Sequence, residues 1–262
     1  MKLHFYKFHG NGNDFVIIDN RDSNIELSTS QINKLCNRRF GIGADGLMLL
    51  ESSEKFDFSM VYYNSDGNLS SMCGNGGRCI AAFANMLGLV DSKMKFEASD
   101  GMHEAIIEDE TFESKEWDVR LQLADVMNIE TNSEFYFLDT GSPHYVEFVD
   151  DVSKIDVVNR GRLIRESEHF NPHGTNVNFV EFADDSIIVR TYERGVEDET
   201  LSCGTGVTAA AIAASLQSGQ SSVLVHTKGG DFNINFDFEN TKFTNVWLRG
   251  PALLVFEGDI NI

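Results

Sequence analysis

The chain has 262 residues, 42% of them apolar and 24% charged, and a formal net charge of −20 from 21 basic and 41 acidic side chains. A field of that sign repels phosphate backbones, which argues against nucleic acid as a partner, and no run of eighteen apolar residues is present to span a membrane. The N-terminal stretch lacks the apolar core of a signal peptide, so a cytoplasmic protein is expected.

Leu3 and Phe5, then Val16, Ile17 and Ile18, read as a strand and its neighbour, joined by a Gly- and Asn-rich connection over 8–15. Such a connection brings backbone close to a ligand, although taken alone it is also an ordinary turn. A helix is predicted over 28–39, with Ile32, Leu35 and Cys36 on its inner face. Gly41-Ile42-Gly43-Ala44-Asp45-Gly46 matches G-x-G-x-x-G in letters, but it follows a helix and not a strand, the wrong setting for a dinucleotide site. Phe56, Phe58, Met60 and Tyr62 alternate as a strand that delivers Asn64, and a loop over 68–73 leads to a helix ending at Gly88.

Further strands are expected at 94–96, 104–107, 119–123 and 135–139, with a loop over 140–144 and partial helix over 152–167. Strands at 176–182 and 186–192 precede a second Ala-rich helix that stops near Gly219. Four tail strands follow, at 223–226, 232–238, 246–249 and 253–256. Four cysteines, Cys36, Cys73, Cys79 and Cys203, fit neither a disulfide scaffold nor a paired zinc motif, so free thiols and no metal are expected.

Two of these cysteines open the same unit written twice. Cys73-Gly74-Asn75-Gly76-Gly77 runs into Arg78-Cys79-Ile80-Ala81-Ala82, and 130 residues on, Cys203-Gly204-Thr205-Gly206-Val207 runs into Thr208-Ala209-Ala210. Tyr63 stands ten residues before the first cysteine and Tyr192 eleven before the second. The repeat implies an α+β chain of two pseudosymmetric domains, each a mostly antiparallel barrel-like sheet around one buried helix. The division falls at residues 1–117 with the terminal strand 251–262, and 118–250, with the active site in the cleft between them.

A helix N-terminus presents unpaired N–H groups and partial positive charge, which favours the thiolate of a cysteine placed there and binds a carboxylate. Two such starts aimed at one cleft would hold a carboxylate with a sulfur on each face of the neighbouring carbon. That arrangement suits proton abstraction alpha to the carboxylate, one sulfur as base and the other as acid. A nucleophilic cysteine with His144 as its base would leave the duplicate unexplained. One cysteine at a buried helix start is an apolar filler; two in duplicated turns point to chemistry.

The segments Asn11-Gly12-Asn13-Asp14-Phe15, Asn64-Ser65-Asp66-Gly67, Met72-Cys73-Gly74-Asn75-Gly76-Gly77-Arg78 and Glu193-Arg194-Gly195, with Cys203-Gly204-Thr205-Gly206, closely resemble the diaminopimelate epimerase family. The resemblance runs to Gly250-Pro251-Ala252 and Glu257-Gly258, essentially the whole chain. It implies a cofactor-independent isomerase interconverting L,L- and meso-diaminopimelate for lysine and peptidoglycan synthesis, commonly as a homodimer. Carried over by residue, it makes Cys73 and Cys203 the acid/base pair and places Gly74, Asn75, Gly204 and Thr205 at the carboxylate of the reacting centre. It gives Asn11, Asn64, Asn176, Glu193 and Arg194 to the rest of the substrate, with His144 and Glu193 supporting catalysis. An arginine there suits a distal carboxylate, which its planar fork reads bidentately.

Two departures stand out: Gly46 where some members carry a Gln in the Gly-rich loop, and Ser142 where many carry Asn before the Pro-His pair. The shorter hydroxyl is expected to lose one substrate contact or make it through water. A proline or hydroxyproline racemase is the alternative enzyme, although Glu193, Arg194, Asn64 and Asn176 offer more polar capacity than a small cyclic amino acid needs. A non-enzymatic redox or metal-binding protein using Cys73, Cys79 and Cys203 is the alternative of another class.

Overall fold

Alternating apolar positions make most of this chain strand, and the computed structural model describes residues 2–22, 24–70, 72–111 and 114–262. Ser71, in the loop expected over 68–73, lies outside the described residues. The chain divides into two compact units, Met1–Leu121 with Gly250–Ile262, and Gln122–Arg249.

In the first unit, β1 (Lys2–Gly10) turns directly into β2 (Asn13–Asp19). The turn residues Asn11 and Gly12 have φ of 51° and 83°. Positive φ at both positions gives a hairpin turn whose twist matches that of paired strands, which is why Asn-Gly favours it. The connection expected over 8–15 is therefore two residues long, and Phe8 and Phe15 are fully buried strand residues.

α1 (Thr29–Cys36) starts at a capping box in which the Ser28 and Gln31 side chains satisfy each other's backbone N–H groups, and it buries Ile32, Leu35 and Cys36. β3 (Gly46–Glu51) and β4 (Phe58–Asn64) lead to α2 (Gly74–Met86), and β5 (Lys93–Ala98), β6 (Gly101–Thr111) and β7 (Glu116–Gln122) complete the unit. The strands pair in chain order, and the C-terminal part of the last strand of the chain joins β7 back to β1, closing a ring. α2 packs on β1, β2, β3 and β6 and is buried on every side from Gly74 to Ala84.

The second unit repeats this plan. β8 (Ile129–Thr131), β9 (Tyr136–Asp139) and β10 (Pro143–Phe148) precede α3 (Val157–Arg165). β11 (Asn176–Ala183), β12 (Ser186–Glu193) and the short β13 (Asp198–Thr200) lead to α4 (Gly204–Ser218). β14 (Ser222–Thr227), β15 (Gly230–Glu239) and β16 (Lys242–Asn261) follow. β10 runs parallel to β11 as β2 does to β3, and β12 runs parallel to β14 as β4 does to β5. Each of the latter parallel pairs is joined by a crossover through the central helix. α4 packs on β9, β10, β11, β12, β14 and β15.

Ala-rich sequence fits this position: a helix enclosed by sheet leaves room only for small side chains, while the strands supply the large ones, among them Phe232 and Ile234 of β15. Gly219, at φ 74°, ends α4 in the left-handed conformation that glycine adopts without strain.

Two further sequence expectations need correction. Pro143 and His144 belong to a strand and not a loop; a proline at the first strand position gives up no ladder bond inside the sheet. The two tail strands expected at 246–249 and 253–256 are one strand, β16, because pairing to β7 carries the backbone straight through Gly250 and Pro251. β8 and β13 are too short to leave a pattern. Among the described residues no helix is long and apolar enough to cross a membrane.

Ala211 is completely buried in α4. Ala211→Leu should cost roughly 1–3 kcal/mol through overpacking, read as a lower urea midpoint; an unchanged midpoint would contradict the tight enclosure of this helix.

Candidate active site

Each central helix begins with its cysteine in the N-cap position, so the two repeated turns are two helix starts. In the first unit Cys73 Sγ accepts the Gly76 N–H at 3.2 Å. A Cβ at Gly76 would lie 3.2 Å from that sulfur and 3.4 Å from Met48 Sδ, so the turn is glycine because the thiol folds over it. Cys73 is half-buried, and Asn13 Oδ1 stands 4.0 Å from its sulfur.

Arg78, one turn along α2, is fully buried. Its Nη2 donates to Asn11 Oδ1 at 2.6 Å and Asn75 Oδ1 at 3.0 Å, its Nη1 to the Gly74 carbonyl at 3.3 Å, and its Nε to the Pro251 carbonyl at 3.4 Å. A guanidinium has only donors, so both amides present oxygen to it. Asn75 Nδ2 then donates to Asn13 Oδ1 at 3.3 Å, and Asn13 Nδ2 to Asp45 Oδ2 at 2.7 Å. A cation at one end and a carboxylate at the other thus fix every amide in this chain. Burial lowers the Arg78 pKa to about 10, still well above neutrality. Behind it Asp14 pairs with Lys7 and Arg38; burial alone would raise its carboxyl pKa, but those bonds outweigh it and hold the group well below the usual range.

In the second unit Cys203 is buried and its sulfur stands 3.5 Å from Thr205 Oγ1. That hydroxyl meets His144 Nε2 at 2.9 Å, and the Thr205 carbonyl accepts from Thr140 Oγ1 at 2.8 Å. His144 Nδ1 faces Asn178 Nδ2 at 3.1 Å. Complete burial, with the Arg194 charge adding to it, pushes the imidazole pKa down to about 3, so His144 is neutral.

The structure therefore gathers Cys203, Gly204, Thr205 and His144 at one helix start, and Cys73, Gly74, Asn75 and Asn11 at the other. Asn176 is buried and fully engaged, its Oδ1 accepting the Arg194 N–H at 2.9 Å and its Nδ2 donating to Ser142 Oγ at 2.9 Å and the Pro143 carbonyl at 3.1 Å. Ser142 thus holds Asn176. Arg194 also donates through Nη1 to the His173 carbonyl at 3.0 Å.

Asn64 and Glu193 end the equivalent strands β4 and β12, Asn64 exposed and Glu193 half-buried. Gly46 lies in β3, where a Cβ would stand 2.4 Å from the Tyr62 ring and 2.7 Å from the Tyr63 carbonyl oxygen, so a glutamine side chain does not fit there. Cys36 and Cys79 are buried, and burial pushes the Cys36 thiol up to about 11 and the Cys79 thiol higher. Among the described residues no three His, Cys, Asp or Glu side chains are grouped to hold a metal ion.

Sequence reasoning gave no role to Asn13, Arg78 or Asn178. A polar residue at an inward position of a buried strand or helix is the signal each one leaves.

The family described as diaminopimelate epimerase matches residues 5–120 and 136–255. A diaminopimelate epimerase of Flavobacterium psychrophilum is 49% identical over 99% of this chain and 100% of its own length. One of Aquifex aeolicus is 40% identical over 99% and 98%. Among solved structures, a phenazine biosynthesis protein of the PhzF family from Bacillus anthracis superposes with a TM-score of 0.77 at 14% identity, covering both chains fully. A hydroxyproline epimerase from Agrobacterium vitis superposes at 0.71 and 13% identity over 99% of this chain and 92% of that one, a likeness of fold.

His144 also makes stability depend on pH. The unfolded chain binds a proton on this side chain below about 6.5, which the folded chain resists until about 3. The unfolded state then holds more protons, so stability falls as pH drops through that window, by about 2 kcal/mol between pH 7 and 5 from this group. Denaturant melts of wild type and His144→Gln should diverge in pH slope over that range; identical slopes would contradict a neutral buried imidazole.

Proposed function

The chain belongs to the diaminopimelate epimerase family, and from that premise we propose that it interconverts L,L- and meso-2,6-diaminopimelate by proton transfer between Cys73 and Cys203, without a cofactor. The observation that carries this reading is the pair of N-cap cysteines on two equivalent buried helices. One sulfur, as thiolate, takes the alpha proton, and the electron pair left on carbon delocalises into the neighbouring carboxylate. The other sulfur, as thiol, delivers its proton to the opposite face. The configuration inverts, and the two sulfurs exchange protonation states.

An alpha proton beside a carboxylate is very weakly acidic, so the developing negative charge on the carboxylate oxygens must be held. Unpaired N–H groups at a helix start supply that stabilisation without reorganising. In this reading Gly74, Asn75, Gly204 and Thr205 flank the reacting carboxylate. Asn11, Asn64, Asn176, Glu193 and Arg194 serve the distal amino-acid end, the Arg194 guanidinium taking its carboxylate. Asn11 and Asn176 act through their ties to Arg78 and to the Arg194 backbone, each of which fixes a neighbouring group. The reading extends to a cytoplasmic homodimer serving lysine and peptidoglycan-precursor synthesis, on the family resemblance alone.

Cys73→Ser and Cys203→Ser should each lower the rate of L,L-to-meso conversion by roughly 10²–10⁴-fold, the range of a lost general acid or base. Wild-type turnover in either variant would end the two-thiol mechanism, and turnover of proline in place of diaminopimelate would move the protein to the racemase reading.

A further inference from the structure

The imidazole of His144 lies between two groups whose hydrogen-bonding directions are set by their own neighbours. Asn178, on β11, is completely buried. Its Nδ2 donates to the Tyr145 carbonyl at 2.9 Å, and a carbonyl only accepts, so that contact decides which end of the amide is nitrogen. The other end, Oδ1, takes the Thr191 hydroxyl at 2.9 Å. The second Nδ2 proton is aimed at His144 Nδ1, 3.1 Å away. Nδ1 must accept it, so the single proton of the neutral ring is on Nε2. Nε2 then donates to Thr205 Oγ1 at 2.9 Å, and the Thr205 hydroxyl keeps its own proton to offer Cys203 Sγ at 3.5 Å. Each link donates in one direction, from amide to sulfur.

The first unit supplies a built-in comparison. β10 pairs with β11 so that His144 faces Asn176, and β2 pairs with β3 so that Phe15 faces Gly46. Two residues further along, Asn178 corresponds to Met48. Both lie under the start of the central helix: a Cβ at Gly206 would stand 2.5 Å from Asn178 Oδ1, and one at Gly76 3.4 Å from Met48 Sδ. Where β2 brings no imidazole to the helix start, a thioether fills the space. A buried amide is costly unless its groups are bonded, and here three partners bond it, one of them the histidine.

We propose that Asn178 is a positioning residue that holds His144 as the neutral Nε2–H tautomer, making His144 a donor through Thr205 toward the Cys203 sulfur and not a proton-accepting base. The catalytic consequence rests on the epimerase reading: the relay ends in a hydrogen bond to sulfur, which stabilises the Cys203 thiolate. The tautomer itself is independent of that reading.

The direct test is ¹⁵N NMR of histidine-labelled wild-type protein at pH 7, with His144 assigned by its loss in His144→Gln. The proton should be on Nε2, with Nδ1 bare; a Nδ1–H ring or an imidazolium would overturn the proposal. Asn178→Asp is isosteric but replaces the donor by an acceptor, so it should move the proton to Nδ1. It should also lower kcat by roughly 10²-fold or more, as a wrong-tautomer histidine does in a catalytic triad, with KM changed much less. An unmoved proton in a folded Asn178→Asp variant, or a moved one with wild-type kcat, would also overturn it. If that variant does not fold, the wild-type spectrum decides alone. Wild-type protein with the Nε2–H tautomer but no diaminopimelate turnover would overturn the epimerase reading and uphold the tautomer assignment.

Discussion

A helix enclosed by its own sheet has its side chains sealed in, and its first turn of N–H groups still needs acceptors. Enclosure holds in both halves of this protein, and in the first a cysteine side chain meets the N–H requirement. Enclosure selects the small residues of α2 and α4, and at the start of α2 the N–H groups also favour an acceptor at the N-cap. In the first unit the cap is a sulfur accepting the Gly76 N–H. Glycine at 76 and 206 follows, because a side chain at either position would run into the capping cysteine and the residue beneath the helix. The thiol, the glycines and the alanines are thus one solution to one packing problem. The same solution leaves polarised N–H groups beside a sulfur.

The two units share a backbone plan but not a polar one. At the first helix start, a buried arginine and an aspartate pin a chain of asparagine amides, and Asn13 presents its oxygen toward Cys73. At the second, an asparagine, a histidine and a threonine carry donors toward Cys203. In the proposed reaction the two sulfurs start each turnover in opposite protonation states, so unlike surroundings on a like scaffold are what the chemistry asks for.

The duplicated Cys-Gly-x-Gly turn, the two buried helices and their ends at Gly88 and Gly219 were legible because small residues and glycine leave strong local marks. The Asn11-Gly12 hairpin was obscured by the Gly and Asn around it, although Asn-Gly between apolar runs is a strong hairpin signal. Pro143 and Pro251 read as breaks, yet one begins a strand and the other is carried through by pairing to β7. Asn178 and Arg78 were passed over for a different reason. Both lie among apolar neighbours in a strand and a helix, and their significance depends on which distant groups the fold brings within bonding reach. Ser142 was read as a shortened substrate contact and Gly46 as a departure in the Gly-rich loop; the fold bonds Ser142 to Asn176 and packs Gly46 under Tyr62.

The central claim is that two different sulfurs handle the proton on its way off and onto the alpha carbon. It is tested most directly by the first turnovers of L,L-diaminopimelate in D₂O. The account predicts that meso product carries deuterium at the inverted carbon while the remaining L,L substrate is still unlabelled, because the delivered proton comes from a thiol already exchanged with solvent. Product that retains the original hydrogen, or substrate that gains deuterium as fast as product, would mean that one base serves both faces and would contradict it.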